Sequence, residues 1–273
     1  MNPITTFIKR HPQISFWLIA WSSGFFAFIM NAIYPDGPWM FFLYGTFLGG
    51  ALVTGIVDGR SGLKEYFSRI VRWRVGIQWY AIALFAPLVL RLVSFGLNIA
   101  SGAEMTMEFH WPAGSDLLFG FLWPSFLGIA LAEEPGFRGF ALPRLLVGRS
   151  AFAASLILGV LHAIWHLPLF VSGDDPIIVI LIIISGAVLN TWLFNKTNGS
   201  ILIAMLLHAS VDIMVGIFNP LFSGVDAVRQ TNLLAVAFVV MAILLRVFAG
   251  AELGRKPEAD MDMRTADQPM AAD

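Results

Sequence analysis

Leu131-Ala-Glu-Glu-Pro-Gly-Phe-Arg138 is the stretch that decides the reading of this chain. It closes an apolar run that begins near Leu117, and it carries two adjacent carboxylates and a guanidinium. Each such charge near the centre of a bilayer costs about 2.5 to 3.5 kcal/mol on insertion scales, so an acid there needs a function or a partner. Glu133 and Glu134 are therefore the first candidates for chemistry.

Working outward, the composition agrees with a membrane solvent. The chain has 273 residues, 58% hydrophobic and 13% charged, with a mean hydropathy of +0.76. Apolar runs of nearly twenty residues recur, each long enough to cross about 30 Å of hydrocarbon as a helix, whereas barrel strands alternate and are shorter. The expected fold is all-α, a polytopic bundle of about eight spans. They run from about Ser15 to Ile33, Trp39 to Val57, Trp79 to Asn98, Leu117 to Phe140, Ala151 to Val171, Ile177 to Phe194, Ser200 to Phe218 and Leu233 to Phe248. The first is too long for the apolar region of a secretory signal and is read as a retained span. The turn Ser172 to Pro176 separates the fifth span from the sixth.

With the N-terminus inside, Lys9, Arg10, the five bases between Arg60 and Arg74, Arg138, Arg144, Arg149, Lys196, Arg246, Arg255, Lys256 and Arg264 all fall on the cytoplasmic side. Arg91, within a span, and Arg229, in an outer loop, are the exceptions. By the positive-inside rule both termini are cytoplasmic. The basic segment from Asp58 to Gly76, with Leu63, Phe67, Ile70, Val71 and Trp73 interleaved, is expected to lie on the membrane surface. Arg91 is expected to form a structural salt bridge inside the bundle. Gly45 and Gly49 stand at a spacing that permits close helix packing. Three regions follow: residues 1–114, N-terminal helices with the basic surface segment; 115–250, the catalytic core; and 251–273, a disordered polar tail.

Net charge of −1 and the lack of basic tracts on a soluble face argue against nucleic-acid binding. The absence of cysteine removes disulfides, thiolate metal sites and thiol nucleophiles.

The candidate site assembles from depth. At 1.5 Å per helical residue, His162 lies roughly 16 Å, His208 roughly 12 Å and Glu133 roughly 10 Å from the cytoplasmic ends of their spans. Pairs four apart share a face: Glu134 with Arg138, His162 with His166, and His208 with Asp212. Glu134 and Arg138 are read as an internal ion pair, His166 as a packing or supporting group, and Asp212 as a buried hydrogen bonder or the orienter of His208. Pro135 and Gly136 are expected to kink the helix beside Glu133 and admit water.

Three motifs carry a family resemblance. Glu133-Glu134-Pro-Gly-Phe-Arg138 continues into Gly139-Phe-Ala-Leu-Pro-Arg144, and is followed by Leu158-Gly-Val-Leu-His162 and His208-Ala-Ser-Val-Asp212. In order and spacing they resemble the CPBP intramembrane proteases, named for CAAX prenyl protease and bacteriocin processing, whose motifs are EExxxR, FxxxH and HxxxN/D. The similarity spans roughly Ser115 to Asn219. Leu158 stands where that family has phenylalanine, and Asp212 where asparagine is frequent. The resemblance implies an intramembrane endopeptidase acting on a membrane-associated peptide or protein through water activated by glutamate and histidine. Glu133 would be the general base, His162 would orient the water, and His208 with Asp212 would stabilise the oxyanion. No cofactor is expected, and helix depth with the positive-inside rule places the site in the cytoplasmic half of what is read as a bacterial plasma membrane.

The same residues leave two alternatives open. Glu133, His162 and His208 form a His₂Glu donor set suited to Zn²⁺. Membrane acids and histidines also mark proton-coupled carriers, and such a fold can serve as an immunity or scaffold protein. Oligomeric state is not legible.

Overall fold

A computed structural model describes residues 2–172 and 176–256, and within them every regular element is helical. The chain runs α1 (Pro3–Arg10), α2 (Pro12–Ile33), α3 (Gly45–Val57, entered through a tight turn of helix from Trp39), α4 (Gly59–Ile70), α5 (Ile77–Ala100), α6 (Gly114–Leu146), α7 (Ala151–Trp165), α8 (Pro176–Lys196), α9 (Ile201–Phe218) and α10 (Gly224–Phe248). Seven stretches are long and apolar enough to cross a membrane: α2, Trp39 to Val57, α5, α6, α8, α10 and α9 with its short extension. The shorter α7 is the eighth apolar helix. This is an integral, multi-pass, all-α protein.

Helix α7 ends at Trp165 and continues as a 3-10 turn from Leu167 to Ser172. Pro168 accounts for the change, since proline disfavours the α conformation in the residue before it. The turn between Ser172 and Pro176 has residues 173–175 outside the described residues.

Small residues set the packing distances. A Cβ added at Gly45 would lie 2.2 Å from Ser23 Oγ, and one at Gly49 2.8 Å from Ile19 Cγ2. The glycine pair therefore serves the contact between α2 and α3 within the chain. One core joins the first half to the second: Phe16 and Trp17 of α2 pack with Phe137 and Phe140 of α6 and Trp165 of α7. The Trp17 and Phe137 rings stack at 5.5 Å between centroids, and Trp165 Nε1 donates to the Ala20 carbonyl at 3.0 Å.

The basic loops meet at one end of the bundle. Arg144 pairs with Asp58, Arg72 donates to the Asn198 carbonyl, and Ser200 Oγ donates to the Arg72 carbonyl at 2.6 Å. Burial raises the Glu65 carboxyl, but the Arg69 and Arg72 guanidiniums at 2.8 and 3.0 Å outweigh it and hold the group below its ordinary range. The polar tail expected from Glu252 begins with a packed segment at this same end: Leu253 is fully buried, and Arg255 Nη1 donates to the Leu146 carbonyl at 3.0 Å. The rest of that tail, 257–273, lies outside the described residues. At the opposite end Arg229 donates to Asn98 Oδ1 at 2.7 Å and to Asp226 Oδ1 at 2.6 Å.

Arg91 departs from its expected pairing. It is 6% exposed, yet it makes no ion pair with any described residue, because its helix turns it into a cavity and not toward an acid.

Helix α6 approaches α3 so closely that a Cβ at Gly136 would lie 2.5 Å from the Thr46 carbonyl oxygen, a backbone atom that cannot swing away. Gly136→Ala is expected to lower stability by about 1 to 3 kcal/mol through overpacking. Gly96→Ala, where nothing lies within 4 Å, is expected to be neutral or stabilising by up to about 1 kcal/mol. Thermal unfolding of the two variants in detergent, read by tryptophan fluorescence, checks the contrast.

Candidate active site

The first motif lies on a helix of unusual pitch. Leu131 N–H reaches the Phe126 carbonyl and Leu142 N–H the Phe137 carbonyl, five-residue bonds that widen the turns on either side of Glu133 and Glu134. Such widened turns recur at functional sites, because they re-aim side chains without breaking the helix. The chain stays helical through Pro135, with φ −59° and ψ −39°. The wide turn thus absorbs the amide hydrogen bond that proline cannot make.

Both glutamates are buried, at 2% and 1% exposure, but they face different partners. Glu134 is saturated. Its Oε1 accepts Arg138 Nη1 at 2.9 Å and His208 Nδ1 at 2.7 Å, and its Oε2 accepts Asn190 Nδ2 at 3.4 Å. Among the described residues Glu133 has one hydrogen-bond partner, His162 Nε2, 3.3 Å from its Oε2. One acid is held by three donors from three helices, while the other stands against an imidazole.

His162 is positioned by aromatic walls, with Phe137 at 4.3 Å and Trp165 at 6.0 Å between ring centroids. His166 follows one turn later. Its Nδ1 donates to the His162 carbonyl at 3.1 Å, which leaves Nε2 with its lone pair free to accept. The donor atoms of Glu133, His162 and His166 lie within 4.8 Å of one another. His208 stands apart from that trio. Its ring bonds Glu134, and its Nε2 faces Asp212 Oδ2 at 3.8 Å, beyond hydrogen-bonding distance.

The expected residues thus gather in one cluster, with a division that spacing did not reveal: His162 belongs to Glu133 and His208 to Glu134. The zinc alternative changes accordingly, because the imidazole that converges with Glu133 and His162 is His166. Asn190, with Ser185 and Thr191, is polar in an otherwise apolar span, and that polarity is the signal in the sequence that points to it. Several buried atoms of the cluster have no hydrogen-bond partner among the described residues: Asn190 Oδ1, Arg138 Nε and Asp212 Oδ2, with Thr46 Oγ1 beside Gly136. Buried polar atoms of this kind call for water or a polar ligand. Exposure rises across the site, from a 3% exposed Glu133 side chain to 16% at His208 and 25% at Asp212, so the cluster opens on the α9 side.

Removing one partner of a buried ion pair leaves the other charge uncompensated. Arg138→Met is therefore expected to cost about 3 to 5 kcal/mol. Asp212→Asn, at a side chain one quarter exposed whose charged neighbour His208 stands 3.8 Å away, is expected to cost far less. Chemical denaturation in detergent compares them.

Residues 115–214 match the family described as type II CAAX prenyl endopeptidase Rce1-like. A protein of Methanococcus maripaludis named CAAX prenyl protease 2 is 22% identical over 214 residues, covering 71% of this chain and 78% of that protein. The matched segment contains both glutamates, Arg138, both site histidines of α7, Asn190, His208 and Asp212. That match, together with the three motifs and the helical membrane bundle, makes the chain similar to the CPBP family of intramembrane proteases and supports a peptidase.

Proposed function

We propose that the protein cleaves a peptide bond of a membrane-associated peptide or protein with water activated by Glu133 and His162. The observation that carries this reading is the unequal partnering of the two acids. Glu134 is engaged by Arg138, His208 and Asn190, which suits it to fixing the geometry. Glu133 is buried with His162 as its one hydrogen-bond partner among the described residues, which leaves acceptor capacity for a water and suits it to proton transfer.

In the proposed step a water held between Glu133 and His162 gives a proton to the Glu133 carboxylate as its oxygen attacks the scissile carbonyl carbon. Negative charge collects on the former carbonyl oxygen. His208, held doubly protonated by the Glu134 carboxylate at Nδ1, would donate from Nε2 to that oxygen, with Asp212 flanking the ring. Donors fixed in advance in a dry site stabilise such charge well. The proton held at Glu133 then passes to the leaving nitrogen as the carbon–nitrogen bond breaks, giving one carboxylate and one amine.

The end of the bundle carrying the basic loops is proposed to face the cytoplasm of a bacterium, which sets the cluster in the cytoplasmic half of its plasma membrane. The relative's name makes a prenylated C-terminal peptide one substrate to test. The continuation of the first motif through Arg144 favours other membrane peptides instead.

Glu133→Gln is expected to lower cleavage by about a thousandfold or more, consistent with loss of a general base together with the water it positions, while the protein folds. Comparing membrane peptides from cells carrying the wild-type protein and this variant identifies the substrate. Identical peptide profiles, or a variant that keeps the full cellular phenotype, would point to binding in place of hydrolysis.

A second reading is favoured by the convergence of Glu133, His162 and His166. Two imidazoles and a carboxylate suit Zn²⁺ with an open position, although bonds of about 2.0 to 2.2 Å would require the three donors to draw slightly closer. Bound there, zinc would polarise the water that Glu133 otherwise activates alone. Purified protein is expected to keep its activity in chelator and to hold less than stoichiometric zinc; stoichiometric metal lost together with activity would establish the zinc mechanism.

A further inference from the structure

Arg91 lies fourteen residues from the start of α5 and nine from its end, roughly 21 Å and 14 Å along the axis. It is 6% exposed and has no hydrogen bond or ion pair from its side chain to any described residue. It lines a cavity of about 240 Å³ bounded by α5, α8, α9 and α10. The walls are mostly apolar, among them Pro87, Val179, Met214 and Phe238, while Asn219 and Thr231 supply polar edges. Glu133, Glu134, His162, His166, His208 and Asp212 take no part in the lining. Val211, the lining residue nearest His208 along α9, sits three residues beyond it and next to Asp212, roughly 5 Å along that helix, so the cavity neighbours the cluster on a different face of α9.

A guanidinium keeps its charge in proteins and offers a planar fork that matches a carboxylate or phosphate bidentately. Lone arginines within membrane helices mark ligand or ion sites when no protein acid neutralises them. We infer that this cavity binds a single-headed anionic lipid of the fatty-acid type, with its carboxylate on Arg91 and its hydrocarbon against the apolar walls. A cavity of about 240 Å³ takes the carboxylate and the first part of a single chain, and it lies well below the level at which the headgroup of a diacyl phospholipid rests. A bare inorganic anion would leave the apolar walls unexplained. The terminal carboxylate of a peptide substrate offers the same chemistry, but the cavity shares no lining residue with the proposed cleavage site.

The test reads binding alone, so it stands apart from the proposed hydrolysis. Delipidated wild-type protein in nanodiscs is titrated with parinaric acid and with its methyl ester, followed by fluorescence. Saturable binding of the acid, none of the ester, and a loss of about tenfold or more in affinity in Arg91→Gln with partial rescue in Arg91→Lys are expected. Equal binding of acid and ester, or an unchanged affinity in Arg91→Gln, would overturn the assignment. Should Arg91→Gln fail to fold, Val179→Trp, which fills the cavity while leaving the charge, carries the test: it is expected to abolish binding, and wild-type affinity would refute the site. Displacement of the probe by a peptide with a free C-terminus, and not by its amidated form, would transfer the site to peptide and overturn the lipid assignment.

Discussion

An acid that cannot be hydrated must be met by donors, and Glu134 is where this protein satisfies that demand. Its two oxygens gather Arg138 from one turn further along α6, His208 from α9 and Asn190 from α8. In water such pairs would contribute little. With Glu134 1% and Arg138 3% exposed, they fix the relative rotation of three helices, because each alternative rotation strands a charge. The placement of His208 and Asn190 against α6 follows from that one junction.

Hydrocarbon gives helices no solvent-driven reason to associate, so the remaining order comes from close contact and interhelical hydrogen bonds. Gly136 lets the motif helix touch the backbone of α3 at Thr46, and Gly159 brings α7 against Ile184 of α8. Trp165 and Trp21 each donate an indole N–H across to the opposite helix backbone, at 3.0 and 3.2 Å. These contacts hold α7, and with it His162, at a set height beside Glu133. The widened turns of α6 then rotate the two glutamates into a space that a regular helix would aim elsewhere.

The membrane bundle could be read directly, because twenty apolar residues have one economical conformation in lipid and the basic loops mark one side of it. The helix placement of the acid and the two histidines was also legible, since depth along a helix is simply residue count. What counting could not supply was azimuth. Whether His208 met Glu133 or Glu134 depended on helix rotation, which no spacing within a single helix encodes. Asn190 was visible as a polar residue but had no partner within four positions to give it meaning. Arg91 was expected to find an acid, yet no described acid comes within reach of it; a charge balanced by something outside the chain looks the same in sequence as one balanced within it. The end of α7 was displaced inward by Pro168, a local rule overlooked beneath a continuous apolar run.

Consecutive residues on a helix diverge by about 100°, and this explains why the acids are adjacent and not four apart. A pair at four would share one face and crowd one partner. Side by side, Glu133 looks toward α7 and Glu134 toward α8 and α9, so a single turn of α6 supports two functions in two directions. The saturated acid anchors the imidazole that faces Asp212, and the less engaged acid meets the imidazole that is walled by Phe137 and Trp165. Side-chain exposure rises from 3% at Glu133 to 16% at His208 and 25% at Asp212, so both glutamates lie at the dry end of the cluster, in the surroundings where electrostatic interactions are strongest.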